Sequence, residues 1–326
     1  MTNLVTIYGG SGFVGRYIAR RMAKEGWRVR VAVRRPNEAM FVKTYGTVGQ
    51  VEPVFCNIRD DASVAAAMQG ADAVVNCVGI LAEDRKNRFE DVKSQGAARI
   101  ARLASERNVA TMVQLTAIGV DAKSNSNYAK TKAAGEAAVL QYMPNAMILR
   151  PSVIFGPEDG FFNRFAEMAK MAPVLPLVGG DTKFQPVYVD DVAQAAVQGI
   201  LGQAQGVYEL GGPEAKPLSG WIADMLAVIH RRRLVINLPF FAGVLMGGGF
   251  DLLQKITFGL WHNGVLTRDQ VKLLRHDNIV SADAKGFADL GISPTAAEVV
   301  MDEYLWRFRP SGQYDAIKES AKNLRS

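Results

Sequence analysis

Short apolar runs and longer stretches with helical spacing take turns along the first 150 residues. The runs "LVTIY", "WRVRVAV", "VEPVFCNI", "ADAVVNCVG", "ATMVQLTAIG" and "NAMILRPSVIF" read as strands. Their alternation with helical patterns predicts a parallel sheet joined by crossover helices. The first helix, over 12–24, puts Phe13, Val14, Ile18 and Met22 on one stripe, keeps Arg16, Arg20, Arg21 and Lys24 off it, and stops at Gly26. Asp60 or Asp61 caps the short "ASVAAAMQ" helix, and "DVKSQGAARIARLASERN" supplies a longer one.

The rhythm changes after Gly156. "FFNRFAEMAKM" is helical, "PVLPLVGG" a proline-rich apolar connection, and "FQPVYVDDVAQAAVQGIL" a strand followed by an aspartate-capped helix. "GVYELGG" is a further strand and "LSGWIADMLAVIH" an amphipathic helix. The expected organisation is a sheet domain over 1–155, completed by strands from 184–212, and a smaller α/β lobe with docking segments over 156–326. Three arginines then lead into "LVINLPFFAGVLMGGGFDLLQKITFGLW", residues 234–261. Pro239, the glycine triplet, Asp251 and Lys255 break this run within the ~20 residues a crossing helix needs. It reads either as an apolar surface element against lipid or a partner protein, or as a core element of the smaller lobe.

Composition narrows the picture. With 326 residues, 48% of them hydrophobic, a large core and a second lobe are both affordable in size. The two cysteines, Cys56 and Cys77, sit in apolar stretches, which argues against structural disulfides and for a reducing compartment. No leader precedes the first strand at Leu4, an expectation of the cytoplasmic side if the source is bacterial. Net charge is +6, with the positive surplus in the first half, which suits a polyanionic ligand. That surplus is scattered and carries no nucleic-acid recognition motif. His230, His262 and His276 are not spaced as metal ligands.

Gly9, Gly12 and Gly15 follow a strand and open a helix, the context of a dinucleotide fingerprint. The first allows a tight turn, the second a close backbone approach to a pyrophosphate, and the third close packing of helix on sheet. Amides around Ser11, Gly12, Phe13 and Val14 would face the phosphates. The second strand ends "VAVRRP", with Arg34 and Arg35 where an NAD site would carry a carboxylate for the ribose 2′-hydroxyl. Guanidinium groups instead bind a 2′-phosphate, so the expected cofactor is NADPH.

Tyr128 and Lys132, in "YAKTKAAGE", lie four apart at the start of the helix after the fifth strand and so share a face. An ammonium beside a phenol favours its ionised form and suits acid/base work. Thr116, at the end of the preceding strand, is placed to hydrogen-bond a substrate carbonyl.

With these residues in place the chain resembles the extended or atypical short-chain dehydrogenase/reductase superfamily. The resemblance implies a Rossmann-like doubly wound parallel sheet with a small C-terminal α/β lobe. It also implies that Asn57 and Ile58 lie beside the adenine, that "NCVG", with Cys77, Val78 and Gly79, lines the cofactor, and that Tyr128 and Lys132 reach the nicotinamide ribose. "RPSVIFGP", with Pro151 and Val153, would close over the nicotinamide. Tyr8 and Thr116 depart from the usual threonine and serine, and the short stretch between Thr116 and Tyr128 speaks against a nucleotide-sugar substrate.

A closer resemblance covers the whole chain through "YAKTKAAGE", "RPSVIFGPEDGFFNRFA", "FQPVYVDDVAQA", "LTRDQVKLLRHDNIVS" and "YLWRFRPSGQYD". It is to the NAD(P)-binding accessory subunits of respiratory complex I. It implies a structural, NADPH-holding role on the peripheral arm near the membrane arm, with other complex I subunits as partners. The location implied is the cytoplasmic side of a bacterial inner membrane, or the matrix side in mitochondria. In that role Tyr128, Lys132 and Thr116 would be kept for binding. The alternative is a free-standing NADPH-dependent reductase of a small carbonyl compound. "LTRDQVKLLRHDN" and "YLWRFRP" have the mixed charge and aromatic content of interfaces.

Overall fold

The computed structural model describes residues 2–79, 90–124, 126–245, 248 and 268–314. Its centre is a seven-stranded sheet built from β1 (Leu4–Tyr8), β2 (Arg28–Val33), β3 (Val51–Phe55), β4 (Ala73–Asn76), β5 (Thr111–Leu115), β6 (Met147–Pro151) and β11 (Gly206–Leu210). Spatial order is β11-β6-β5-β4-β1-β2-β3, and every pairing is parallel. The order reverses between β1 and β4, the doubly wound topology expected from the sequence.

Side-chain alternation divides the strands cleanly between two cores. Val5 and Ile7 of β1, Ala73 and Val75 of β4, Val113 of β5 and Met147 and Leu149 of β6 pack beneath α1 (Phe13–Lys24) and α6 (Val189–Ile200). Tyr8, Val74, Met112 and Ile148 point the other way, beneath α2 (Asp61–Ala67), α3 (Gln95–Glu106) and α4 (Asn127–Tyr142). Burial on both faces explains why the strands read as continuous apolar runs. The polar side chains this alternation buries are satisfied: Thr6 donates to the Ala67 carbonyl at 3.0 Å and Tyr8 to the Val64 carbonyl at 2.9 Å.

Local signals act where the sequence places them. Gly26 adopts φ +80°, and the amides of Gly26 and Trp27 return to the Ala23 and Met22 carbonyls, ending α1. Asp60, of the two candidates, caps α2 through the Ser63 amide at 2.8 Å.

Three expectations change. "PVLPLVGG" contains β8 (Val174–Val178), paired in parallel with β13 (Leu234–Leu238), because alternate residues Leu175 and Leu177 are buried. The sixth apolar run is broken, with β7 (Ile154–Phe155) leaving the sheet to pair with β10 (Val187–Tyr188). No side chain caps α6: Asp190 instead binds Arg21 of α1 through two hydrogen bonds of 2.8 and 2.7 Å, and Asp191 accepts from Thr295.

A further core joins α5 (Phe162–Met171), β8, α7 (Leu218–Val228) and the helix Ala297–Leu305. Trp221 at its centre donates to the Phe184 carbonyl at 3.0 Å. Tyr304, Leu305 and Phe308 of "YLWRFRP" are buried here, so much of that segment's aromatic content serves its own lobe; Trp306 stays exposed. Leu234, Ile236, Phe241 and Leu245 are exposed, whereas residues 246, 247 and 249–261 of the predicted apolar element lie outside the described residues.

The seat of α6 on the sheet gives a direct stability test. A Cβ at Gly199 would stand 2.6 Å from Met147 Sδ and 2.8 Å from Val113 Cγ2. Gly199→Val is expected to destabilise the fold by about 1–3 kcal/mol through overpacking, seen as a lower Tm in calorimetry.

Candidate dinucleotide site

Parallel strands deliver their C-terminal ends to one edge of the sheet, and the predicted site residues follow those ends. Gly9 follows β1, Arg34 follows β2, Asn57 and Ile58 lie just past β3, Cys77 follows β4, Thr116 follows β5, and Pro151 ends β6 with Val153 just beyond. The reversal of strand order between β1 and β4 opens the crevice at this edge where open α/β sheets bind ligands.

The glycine turn is built as a cradle. Gly9 adopts φ +75°, and its amide donates to the Ala32 carbonyl at 2.9 Å. A Cβ at Gly15 would lie 2.5 Å from the Gly9 oxygen and 2.7 Å from Gly10 Cα, so α1 can approach β1 only without a side chain there. A Cβ at Gly12 would meet the Gly9 oxygen at 3.1 Å. No side chain caps the start of α1, and no acidic residue stands in its first turn. The donors around Phe13 and Val14 thus suit an anion, and the residues present fit a dinucleotide pyrophosphate. Arg16, on the polar side of α1, donates to the Ser11 carbonyl at 3.1 Å and to Glu158 at 3.3 Å. Tyr17 joins it on Glu158 at 3.0 Å, tying the glycine helix to the loop after β7.

Just past β2, Arg34 and Arg35 are exposed. Arg35 pairs with Glu38, three residues further along the chain, at 3.0 Å. Both groups are mostly in solvent, where such a pair is worth about 0–1 kcal/mol and yields readily to a stronger anion. Asn57 Oδ1 accepts from the Arg59 amide, and Ile58 is largely buried against Gly96. Asn76 is buried, with Nδ2 on Gln114 and Oδ1 on the Val78 amide, which fixes the turn carrying Cys77, Val78 and exposed Gly79. Both cysteines are free thiols, and burial pushes Cys56 up to about 11.

Tyr128 and Lys132 stand on the first turns of α4, with Lys132 Nζ 5.3 Å from the centre of the Tyr128 ring. A second ammonium, Lys93 Nζ, lies 3.3 Å from that centre. The sequence held a signal for Lys93: it falls on the buried stripe of Ala97, Ile100, Ala101 and Ala104, where a lysine needs a reason. Thr116 is buried and its hydroxyl donates to the Leu149 carbonyl at 3.1 Å, at the edge of the sheet. Glu136, further along α4, is buried and accepts from Arg150 Nε and Nη2, while Arg150 Nη1 lies 3.7 Å from Glu209 of β11. One guanidinium thus holds α4 to the end of the sheet, and its partners, distant in sequence, gave no local pattern.

The NAD dependent epimerase/dehydratase family matches residues 5–211. The chain belongs to that family. A nicotinamide dinucleotide is therefore its cofactor class. The chain is 34% identical over 316 residues to NADH dehydrogenase (ubiquinone) 1 alpha subcomplex subunit 9, mitochondrial, of Arabidopsis thaliana, covering 95% of this chain and 79% of that protein. It is 31% identical over 258 residues to a ceramide reductase of Caulobacter vibrioides, covering 78% and 79%. Among solved structures, the Bordetella bronchiseptica enzyme WbmH in complex with NAD+ superposes with a TM-score of 0.70 at 16% identity, over 96% of this chain and all of that one, a likeness of fold. Among the described residues no helix is long and apolar enough to cross a membrane, and no cluster of three or more metal-ligating side chains occurs.

In this family member the loop after β7 is anchored by Asp159, which accepts from the Gly156, Phe161 and Asn163 amides and from the Tyr304 hydroxyl at 2.5 Å. Burial raises the Asp159 carboxyl above its ordinary range despite these donors. A raised acid stabilises the fold fully at pH below its unfolded value, and that contribution is lost as pH climbs through the folded value. Asp159→Asn is expected to remove the part of the pH dependence in which stability declines as pH rises above the ordinary aspartate range, as measured by thermal melts of both proteins across a pH series.

Proposed function

We propose that this chain is an NADPH-holding accessory subunit of a respiratory NADH:quinone oxidoreductase, in which the nucleotide is a structural ligand off the electron path. The observation that carries this reading is the extent of the plant similarity. It runs over 316 residues, well past residue 211 where the family match ends, and so takes in C-terminal segments that a dinucleotide fold alone does not require. Gly9, Gly12 and Gly15 would admit the pyrophosphate, Arg34 and Arg35 the 2′-phosphate, and Tyr128 and Lys132 the nicotinamide ribose. Bound NADPH at a hundred to a thousand times its Kd would add about 3–4 kcal/mol to the fold. The partners are other complex I subunits near the junction of the peripheral and membrane arms, on the cytoplasmic side of a bacterial membrane or the matrix side in mitochondria. Exposed Leu234, Ile236, Phe241 and Leu245 suit that boundary, against protein or lipid.

A second reading, NADPH-dependent carbonyl reduction, draws on the Caulobacter relative and on the placing of Lys132 beside Tyr128. Nicotinamide, when bound, would supply hydride; Tyr128 Oη would give the carbonyl oxygen its proton, with Lys132 favouring the phenolate left behind.

Purification decides between them. The subunit reading expects co-isolation with a large membrane complex and NADPH released only on denaturation; a soluble protein with steady turnover, abolished by Tyr128→Phe, would overturn it. Replacing Arg34 and Arg35 together by alanine should weaken NADPH binding about 10- to 100-fold and leave NADH nearly unchanged by titration calorimetry. Equal loss for both nucleotides would remove the 2′-phosphate assignment.

A further inference from the structure

The segment 268–281 lies far beyond the sheet in sequence, yet it fastens the elements that flank the nicotinamide half of the crevice. Asp269, on the short helix Arg268–Leu273, reaches the start of α4. Its Oδ2 accepts from Ser126 Oγ at 2.8 Å and from the Tyr128 amide at 3.1 Å, and its Oδ1 accepts from the Asn127 amide at 3.2 Å. Ser126 Oγ in turn accepts from the Ala129 amide at 3.4 Å. Two of the first three amides of α4 are thus held by a carboxylate more than 140 residues away, and the third by the serine that donates to it.

The same segment continues across the sheet edge. Val271 is fully buried, the Leu274 carbonyl accepts from Thr182 Oγ1, and Asn278 offers its carbonyl and Oδ1 to Ser152 Oγ at 2.9 and 2.7 Å. Ser152 stands between Pro151 and Val153, in the turn expected to close over the nicotinamide. Three residues beyond Asn278, the Ser281 amide donates to Glu209, the carboxylate beside Arg150, which itself grips Glu136 of α4. One strap therefore touches α4 at its first turn and, through Glu209 and Arg150, again at its third.

We propose that Asp269 is a positioning residue: through the first turn of α4 it sets where Tyr128 and Lys132 stand, so that the strap controls the grip on the nicotinamide ribose but not on the adenosine half. The physical ground is the geometry of capping. A carboxylate on the first amides of a helix fixes the orientation of that turn and also favours its positive end, and Tyr128 is on that turn. The adenosine half would be held by β1, α1 and the residues just past β2 and β3, none of which the strap touches in the contacts above.

The inference rests on the dinucleotide reading of the site, and the test separates the two. Wild type, Asp269→Ala, Asp269→Asn and Ser126→Ala would be titrated with NADPH and with adenosine 2′,5′-bisphosphate, which lacks the nicotinamide and its ribose. The expected result is an NADPH Kd raised about five- to tenfold in Asp269→Ala, with the bisphosphate Kd unchanged within about twofold. Ser126→Ala and Asp269→Asn should fall between it and wild type, since each keeps part of the cap. Loss of both ligands in equal measure would mean a merely structural contact and overturn the proposal, as would unchanged NADPH affinity in Asp269→Ala. A wild-type protein that binds neither ligand would overturn the dinucleotide reading, and this inference with it.

Discussion

All seven strands of the central sheet run the same way, and the rest of the molecule depends on that constraint. Parallel pairing sends every crossover back over a face and brings every strand's C-terminal end to one edge. Residues scattered from Gly9 to Val153 are brought to that one edge for this reason. The approach of α1 to the end of β1 at Gly15 is the tightest expression of it, because a side chain there would press on the Gly9–Gly10 backbone and hold helix and sheet apart.

Of the helices that open at this edge, α1 and α4 have their N-termini treated in opposite ways. The start of α1 has no side-chain cap and no acidic neighbour in its first turn, leaving its donors suited to a phosphate. The start of α4 is satisfied internally, by Ser126 and by Asp269 from the far end of the chain. Under the proposed dinucleotide reading, a helix that holds a tyrosine and a lysine in place would gain from a rigid first turn, whereas a helix that receives an anion would need its donors open.

The C-terminal segments likewise divide by what they touch. Tyr304 and Phe308 fill a core with Trp221, and the strap from Arg268 is engaged with the sheet edge over most of its length. The exposed row on β13 and beyond has no such internal use. Interface-like composition is thus a mixed signal: the same aromatic and aliphatic residues serve a second core or an outer surface according to which side of the lobe they reach.

The sequence by itself determined the strand order's ingredients, the glycine cradle, the Gly26 stop and the adjacency of Tyr128 and Lys132, because these arise from spacings of a few residues and from backbone conformations that few residue types allow. It also carried Lys93, just before α3 and in line with that helix's buried stripe. Only the tertiary structure decided that Thr116 bonds the sheet edge, that Asp190 binds Arg21 instead of capping α6, that "PVLPLV" is a strand, and that Arg150 and Asp269 hold α4 from afar. Each of these is a choice among partners distant along the chain. Such a choice is made by which surfaces the packed cores bring within hydrogen-bond reach, and no local pattern of residues records it.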